Sequence, residues 1–163
     1  MEVFEFAMKM EQDGKAFYEA QAEKVELQEL RNILLELAAD EQKHYNIFKA
    51  MRDGKTAEFD EAKQTKIFSS VKNVFETLKS EGKDFSFAGD VSQAWEEARE
   101  IEKKSEAFYR QKAGELDDEG QKRILNRIAD EEQRHWRSIE NVIQFLNKPQ
   151  TWLEDAEWNN LED

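Results

Sequence analysis

The chain contains no cysteine, one proline and six glycines among its 163 residues. Without cysteine there is no disulfide framework, no thiolate metal site and no cysteine nucleophile. So few breakers, with 37% charged residues, argue against a many-turned β protein and favour long helices wetted on one face. No apolar stretch approaches the ~20 residues of a membrane-spanning helix. Met1-Glu-Val-Phe-Glu-Phe carries acids where a secretory leader would carry a basic and then an apolar run, so a cytoplasmic protein is expected. A basic face is missing as well. The formal charge of −13 excludes nucleic acid as an expected partner, because phosphate recognition needs clustered Lys and Arg. An acidic surface keeps a protein soluble and can concentrate cations.

What is present is an internal repeat. Residues 11–18, Glu-Gln-Asp-Gly-Lys-Ala-Phe-Tyr, match 102–109, Glu-Lys-Lys-Ser-Glu-Ala-Phe-Tyr. Residues 38–44, Ala-Ala-Asp-Glu-Gln-Lys-His, match 129–135, Ala-Asp-Glu-Glu-Gln-Arg-His, at the same offset. Each half thus carries one lone Glu and, further on, one Glu-x-x-His. The halves read as duplicated helical hairpins, 2–53 and 91–147.

Periodicity supports helices at 2–24, 27–53, 91–114 and 118–147. Leu34, Leu37, Glu41, His44, Phe48 and Met51 step by three and four residues. Leu125, Ile128, Glu132, His135, Ile139 and Val142 repeat those steps, as expected of seams in a nearly antiparallel bundle. The crossover, 54–90, holds one shorter amphipathic helix near 61–80, marked by Ile67, Phe68, Val71, Val74, Phe75 and Leu78. It is long enough to run the length of the bundle. Asp90 is a plausible N-cap with Gln93 as its capping-box partner. Pro149 ends the last helix, and the tail, 148–163, carries Trp152, Leu153, Ala156, Trp158 and Leu161. The expected fold is all-α: a four-helix bundle, 1–147, with a short helical tail.

Glu11, Glu41, Glu102 and Glu132 sit where a seam should be apolar. Burying four unpaired carboxylates costs several kcal/mol apiece, and no cation shares their layer unless Lys15 or Lys112 folds inward. Two divalent ions would balance the four charges. The only two histidines, His44 and His135, belong to the Glu-x-x-His pairs, whose spacing puts both side chains on one helix face. Two lone Glu and two Glu-x-x-His on four helices form a carboxylate-bridged two-metal set. Such a set suits iron or manganese, with zinc a possible occupant.

Tyr18 and Tyr109 lie two turns after the lone glutamates and are candidate catalytic residues through hydrogen bonds to the carboxylates, or packed aromatics. Gly14 and Ser105 leave room for a small ligand or for close helix packing. Asp40 and Glu131 are candidates to accept the outer ring N–H of the histidine from the opposite half, with Asp130 competing with Glu131. Phe17 and Phe108 read as core.

With these residues placed, the sequence resembles the rubrerythrin and ferritin-like diiron-carboxylate proteins over residues 1 to about 147. The resemblance implies a ferritin-like bundle with a long crossover. It also implies Glu11 and Glu102 as terminal ligands, Glu41 and Glu132 as bridges, and His44 and His135 as caps on one iron each. The family's tyrosine near the site is matched by Tyr18 and Tyr109, and its outer aspartate by Asp40. Two features depart from the pattern. Rubrerythrins usually carry a cysteine-ligated iron centre, so here electrons would come from an external donor protein. Their additional glutamate, three residues after the third-helix ligand, is replaced by Ser105, with Glu106 one step beyond. That moves the site towards the six-ligand form of bacterioferritin-like proteins.

The leading expectation is an oxidoreductase that reduces hydrogen peroxide or dioxygen at two irons. The alternative is iron binding, ferroxidase-type uptake or electron transfer without peroxidase turnover. A third reading makes the site structural and gives the tail a partner. A homodimer is expected from the family and the apolar tail.

Overall fold

The computed structural model describes residues 2–55, 59–82 and 91–148. Within them are five helices, α1 (Val3–Lys24), α2 (Gln28–Arg52), α3 (Ile67–Glu81), α4 (Val91–Glu115) and α5 (Glu119–Asn147), one 3-10 turn at Glu61–Lys63, and no strand. Two of the helices, α1 and α5, start where a side chain offers an acceptor for the free N–H groups of a first turn. The Glu2 carboxylate accepts from Phe4 and Glu5, and the Asp118 carboxylate accepts from Gln121. Both residues therefore cap their helices, which begin one residue later than predicted. α3 stops at Gly82, whose φ of 64° is the left-handed value that favours glycine.

Packing fixes the directions. Phe4 and Met8 at the start of α1 cluster with Phe48 and Met51 at the end of α2, Ala113 late in α4, and Ile124 and Leu125 early in α5. At the opposite end, Ala22, Leu30, Trp95 and Phe145 share a second cluster. Thus α1 and α5 run one way, and α2 and α4 the other. The chain leaves α2 at one end and enters α4 at the other, so the crossover traverses the bundle, as predicted. This is an all-α, ferritin-like bundle. Among the described residues no helix is long and apolar enough to cross a membrane.

α3 packs against α2 and α5. Phe75 meets Phe145 with ring centroids 5.1 Å apart, and the Ser70 hydroxyl donates to Glu36 at 2.8 Å. The single helix predicted near 61–80 is not continuous, because regular α-helix begins only at Ile67. The cause is local. The Thr65 backbone N–H donates to Glu131 and its hydroxyl to Asp40, so its donors are committed to neighbouring helices rather than to its own. Asp90, Pro149 and the tail with Trp152, Leu153, Ala156, Trp158 and Leu161 lie outside the described residues.

The two apolar clusters do not merge. Between them lies a polar layer formed by the seam residues of α1, α2, α4 and α5, and there the candidate site is found.

Candidate metal centre

Glu11 comes from α1, Glu41 and His44 from α2, Glu102 from α4, and Glu132 and His135 from α5. All six are buried, none more than 3% exposed. They form two overlapping groups whose ligand-type atoms lie within 4.8 Å of one another: Glu11, Glu41, His44 and Glu132, and Glu41, Glu102, Glu132 and His135. Glu41 and Glu132 belong to both. His44 Nδ1 lies 2.9 Å from Glu132 and 3.5 Å from Glu11. His135 Nδ1 lies 3.4 Å from Glu41 and 3.5 Å from Glu102. Each imidazole therefore faces the lone Glu of its own half and the helix-pair Glu of the other.

One atom of every one of these six residues is buried without a properly aligned hydrogen bond: Glu11 Oε2, Glu41 Oε1, His44 Nδ1, Glu102 Oε2, Glu132 Oε1 and His135 Nδ1. Buried polar atoms are nearly always paired, and leaving one unpaired costs about 1–3 kcal/mol. Six converging orphans made of four carboxylate oxygens and two imidazole nitrogens fit a divalent-metal site. Among the described residues, neither lysine that could fold inward supplies positive charge to this layer. Lys15 turns outward to Gln42 at 2.9 Å, and Lys112 pairs with Glu115 at 3.2 Å.

The outer imidazole nitrogens are held from across the molecule. His44 Nε2 meets Glu131 at 2.8 Å, and His135 Nε2 meets Asp40 at 3.0 Å. Partners of this kind fix the tautomer and leave Nδ1 free to ligate. Asp130 takes no part, since it receives Arg110 Nη2 at 3.0 Å on the surface. The tyrosines also reach across: Tyr18 donates to Glu102, and Tyr109 donates to Glu11 at 2.7 Å. Both are fully buried and close to carboxylates, so their hydroxyl pKa values rise well above the ordinary 10.

Electrostatics describe a site poised against its own charge. Burial and the charges of Glu102 and Glu11 push Glu41 and Glu132 well above the carboxylate range. Burial opposes protonation of the imidazoles, but Glu11 at His44 and Glu102 at His135, with hydrogen-bonding neighbours, outweigh it and raise both. At Glu102 the charge of His135 and nearby hydrogen bonds overcome burial and bring the pKa down to about 2. At Asp40, burial is likewise overcome by its hydrogen bond to His135 and by that ring's charge, which hold it well below the usual range.

Gly14 has a definite role. A Cβ there would come within 3.3 Å of Glu41 Oε2, so the missing side chain makes room for a glutamate rather than for helix packing alone. Ser105 is buried at the matching position. Glu106 lies off the site, accepting from Arg110 at 2.7 Å and from Trp136 Nε1 at 2.8 Å. Thr65 was not predicted. It lies in the crossover, which has no counterpart in the repeat, and so no pattern marked it.

A family model described as rubrerythrin matches residues 2–143. The chain belongs to the rubrerythrin family. No curated protein and no solved structure matches it. Within the matched residues the doubled Glu and Glu-x-x-His set is in place, and Ser105 stands three residues after Glu102.

Proposed function

We propose that this protein is a diiron oxidoreductase that reduces hydrogen peroxide or dioxygen. The observation that carries the reading is the overlap of the two donor groups at Glu41 and Glu132, which suits two ions bridged by two carboxylates. Glu11 with His44 would complete one ion's ligands, and Glu102 with His135 the other's. Two ferrous ions held there would supply two electrons, the number that, with two protons, takes hydrogen peroxide to two waters.

The remaining work falls to the chain. Four carboxylates would neutralise the four positive charges of two divalent ions, which would keep the loaded layer tolerable between two apolar clusters. Asp40 and Glu131 orient the histidines. Tyr18 and Tyr109, which donate hydrogen bonds to Glu102 and Glu11, are the hydroxyl groups placed to pass a proton to a reacting oxygen. The absence of cysteine makes an external electron-donor protein part of the proposal. The six-donor set, with Ser105 in place of a seventh donor, also favours ferroxidase-type iron uptake as the second reading.

Stopped-flow mixing of the anaerobic ferrous protein with peroxide and, separately, with oxygen tests the proposal. We expect oxidation by peroxide within seconds and no more than two irons retained per chain. Oxidation no faster than that of free ferrous iron by either oxidant sinks it. Retention of many irons per chain selects uptake instead.

A further inference from the structure

The crossover does more than connect the hairpins. Thr65 is 4% exposed and touches both carboxylates that hold the histidines. Its hydroxyl donates to Asp40 Oδ2 at 2.5 Å, and its backbone N–H donates to Glu131 Oε2. Asp40 in turn holds His135, and Glu131 holds His44. The same hydroxyl accepts the N–H of Ile67 at 3.3 Å, which ties it to the start of α3. Two further contacts keep the segment down. Lys43 of α2 donates to Asp40 Oδ1 at 3.3 Å and to the Lys63 carbonyl at 3.5 Å, and Arg127 of α5 lies over the Phe59 ring at 4.7 Å.

We propose that Thr65 is a positioning residue that ties the outer hydrogen bonds of both histidines to one point of the crossover, so that the two metal positions are held together through it. The proposal rests on the metal-binding reading of the site. A buried carboxylate facing an imidazole must have its remaining lone pairs satisfied. At Glu131 that donor is the Thr65 main chain, and at Asp40 it is the Thr65 side chain on Oδ2, with Lys43 on Oδ1. A single residue therefore sets the orientation of two carboxylates on helices that belong to different halves of the repeat.

Two measurements test it. In the metal-free wild-type protein, hydrogen exchange at the Thr65 amide reads the Glu131 bond directly. This amide lies outside any helix, so we expect exchange at least about 100-fold slower than in an unstructured peptide. Exchange at the unstructured rate overturns the proposal even if no variant folds. In the second measurement, cobalt(II) is titrated against a competing chelator into wild type, Thr65→Val and Thr65→Ser, read by the visible cobalt bands. Valine keeps the size and removes the hydroxyl; serine keeps the hydroxyl. Outer-partner substitutions weaken metal sites by roughly 10–100-fold, so we expect Thr65→Val to weaken both cobalt steps about tenfold, and serine to restore them to within about threefold. Weakening of neither step, weakening of one alone, or serine behaving as valine overturns it. If the wild type takes up no cobalt, the metal reading falls, and the amide measurement still decides the role of Thr65.

Discussion

The imidazole rings of His44 and His135 face each other nearly parallel, 23° apart in plane with centroids separated by 6.0 Å. Each is held at its outer nitrogen by a carboxylate from the opposite half and turns its inner nitrogen to a different set of glutamates. The histidines are therefore not interchangeable with Glu41 and Glu132, which belong to both sets. His44→Ala or His135→Ala should lower iron content from two to about one per chain, whereas Glu41→Ala should lower it towards zero. Metal analysis of purified variants after anaerobic loading checks this, and equal losses in all three would contradict the shared role of Glu41.

Gly14 predicts a split between stability and binding. Replacing a mid-helix glycine by alanine contributes up to ~1 kcal/mol of helix stability, or ~2–4 °C for a chain of this size. Yet the new Cβ would press on Glu41 Oε2 at 3.3 Å. Gly14→Ala should leave the metal-free melting temperature unchanged or slightly raised while weakening metal binding several-fold. Calorimetry of the metal-free and loaded forms separates the two effects, and a variant that binds metal as tightly as wild type would contradict the contact.

The tyrosines predict a loss of rate without a loss of metal. Tyr18→Phe and Tyr109→Phe each remove a donor to a buried glutamate, at a cost of ~1–3 kcal/mol in stability. Iron content should stay near two. Oxidation by peroxide should slow at least about tenfold if the hydroxyl serves as a proton donor. An unchanged rate in both variants would reduce the tyrosines to packing.

Stability should depend on pH in opposite senses with and without metal. In the metal-free protein His44 and His135 have raised folded pKa values. Their contribution is complete below the unfolded value of ~6.5 and is lost as pH rises through the folded value. The raised values of Glu41 and Glu132 act in the same direction, because the folded state then binds protons that the unfolded state has released. The lowered pKa values of Asp40, Glu102 and Glu131 add stability only as pH rises to ~4.5. The metal-free melting temperature should therefore fall between pH 5 and pH 9. Metal must displace those protons, so the stabilisation it brings should grow over the same interval. Melting curves with and without chelator read both trends, and parallel trends would contradict the assignment.

The bundle and the burial together of the six candidate residues were legible because both rest on periodicity. A carboxylate at a seam position is a violation of pattern, and two violations at one offset, Glu11 with Glu102 and Glu41 with Glu132, place one another. The pairing of Glu131 rather than Asp130 with His44 was harder. Adjacent residues on a helix point about 100° apart, and only the position of α2 shows which side matters. Thr65 was illegible. It belongs to no repeat and breaks the helix that its apolar neighbours announce. Its function lies partly in a backbone N–H, which every residue except proline possesses.

The polar contacts of the site are reciprocal between the two halves. Tyr18 reaches Glu102 while Tyr109 reaches Glu11, and Asp40 holds His135 while Glu131 holds His44. In each pair, what one half gives, it also receives. Reciprocity of this kind is the mark of an isologous interface between identical subunits. Two copies of a single hairpin, related by a twofold axis, could make every one of these contacts before any crossover joined them. The crossover, which has no counterpart in the repeat, breaks that symmetry. Beside the crossover, Asp40 stands at the distance of a threonine hydroxyl and Glu131 at that of a backbone amide.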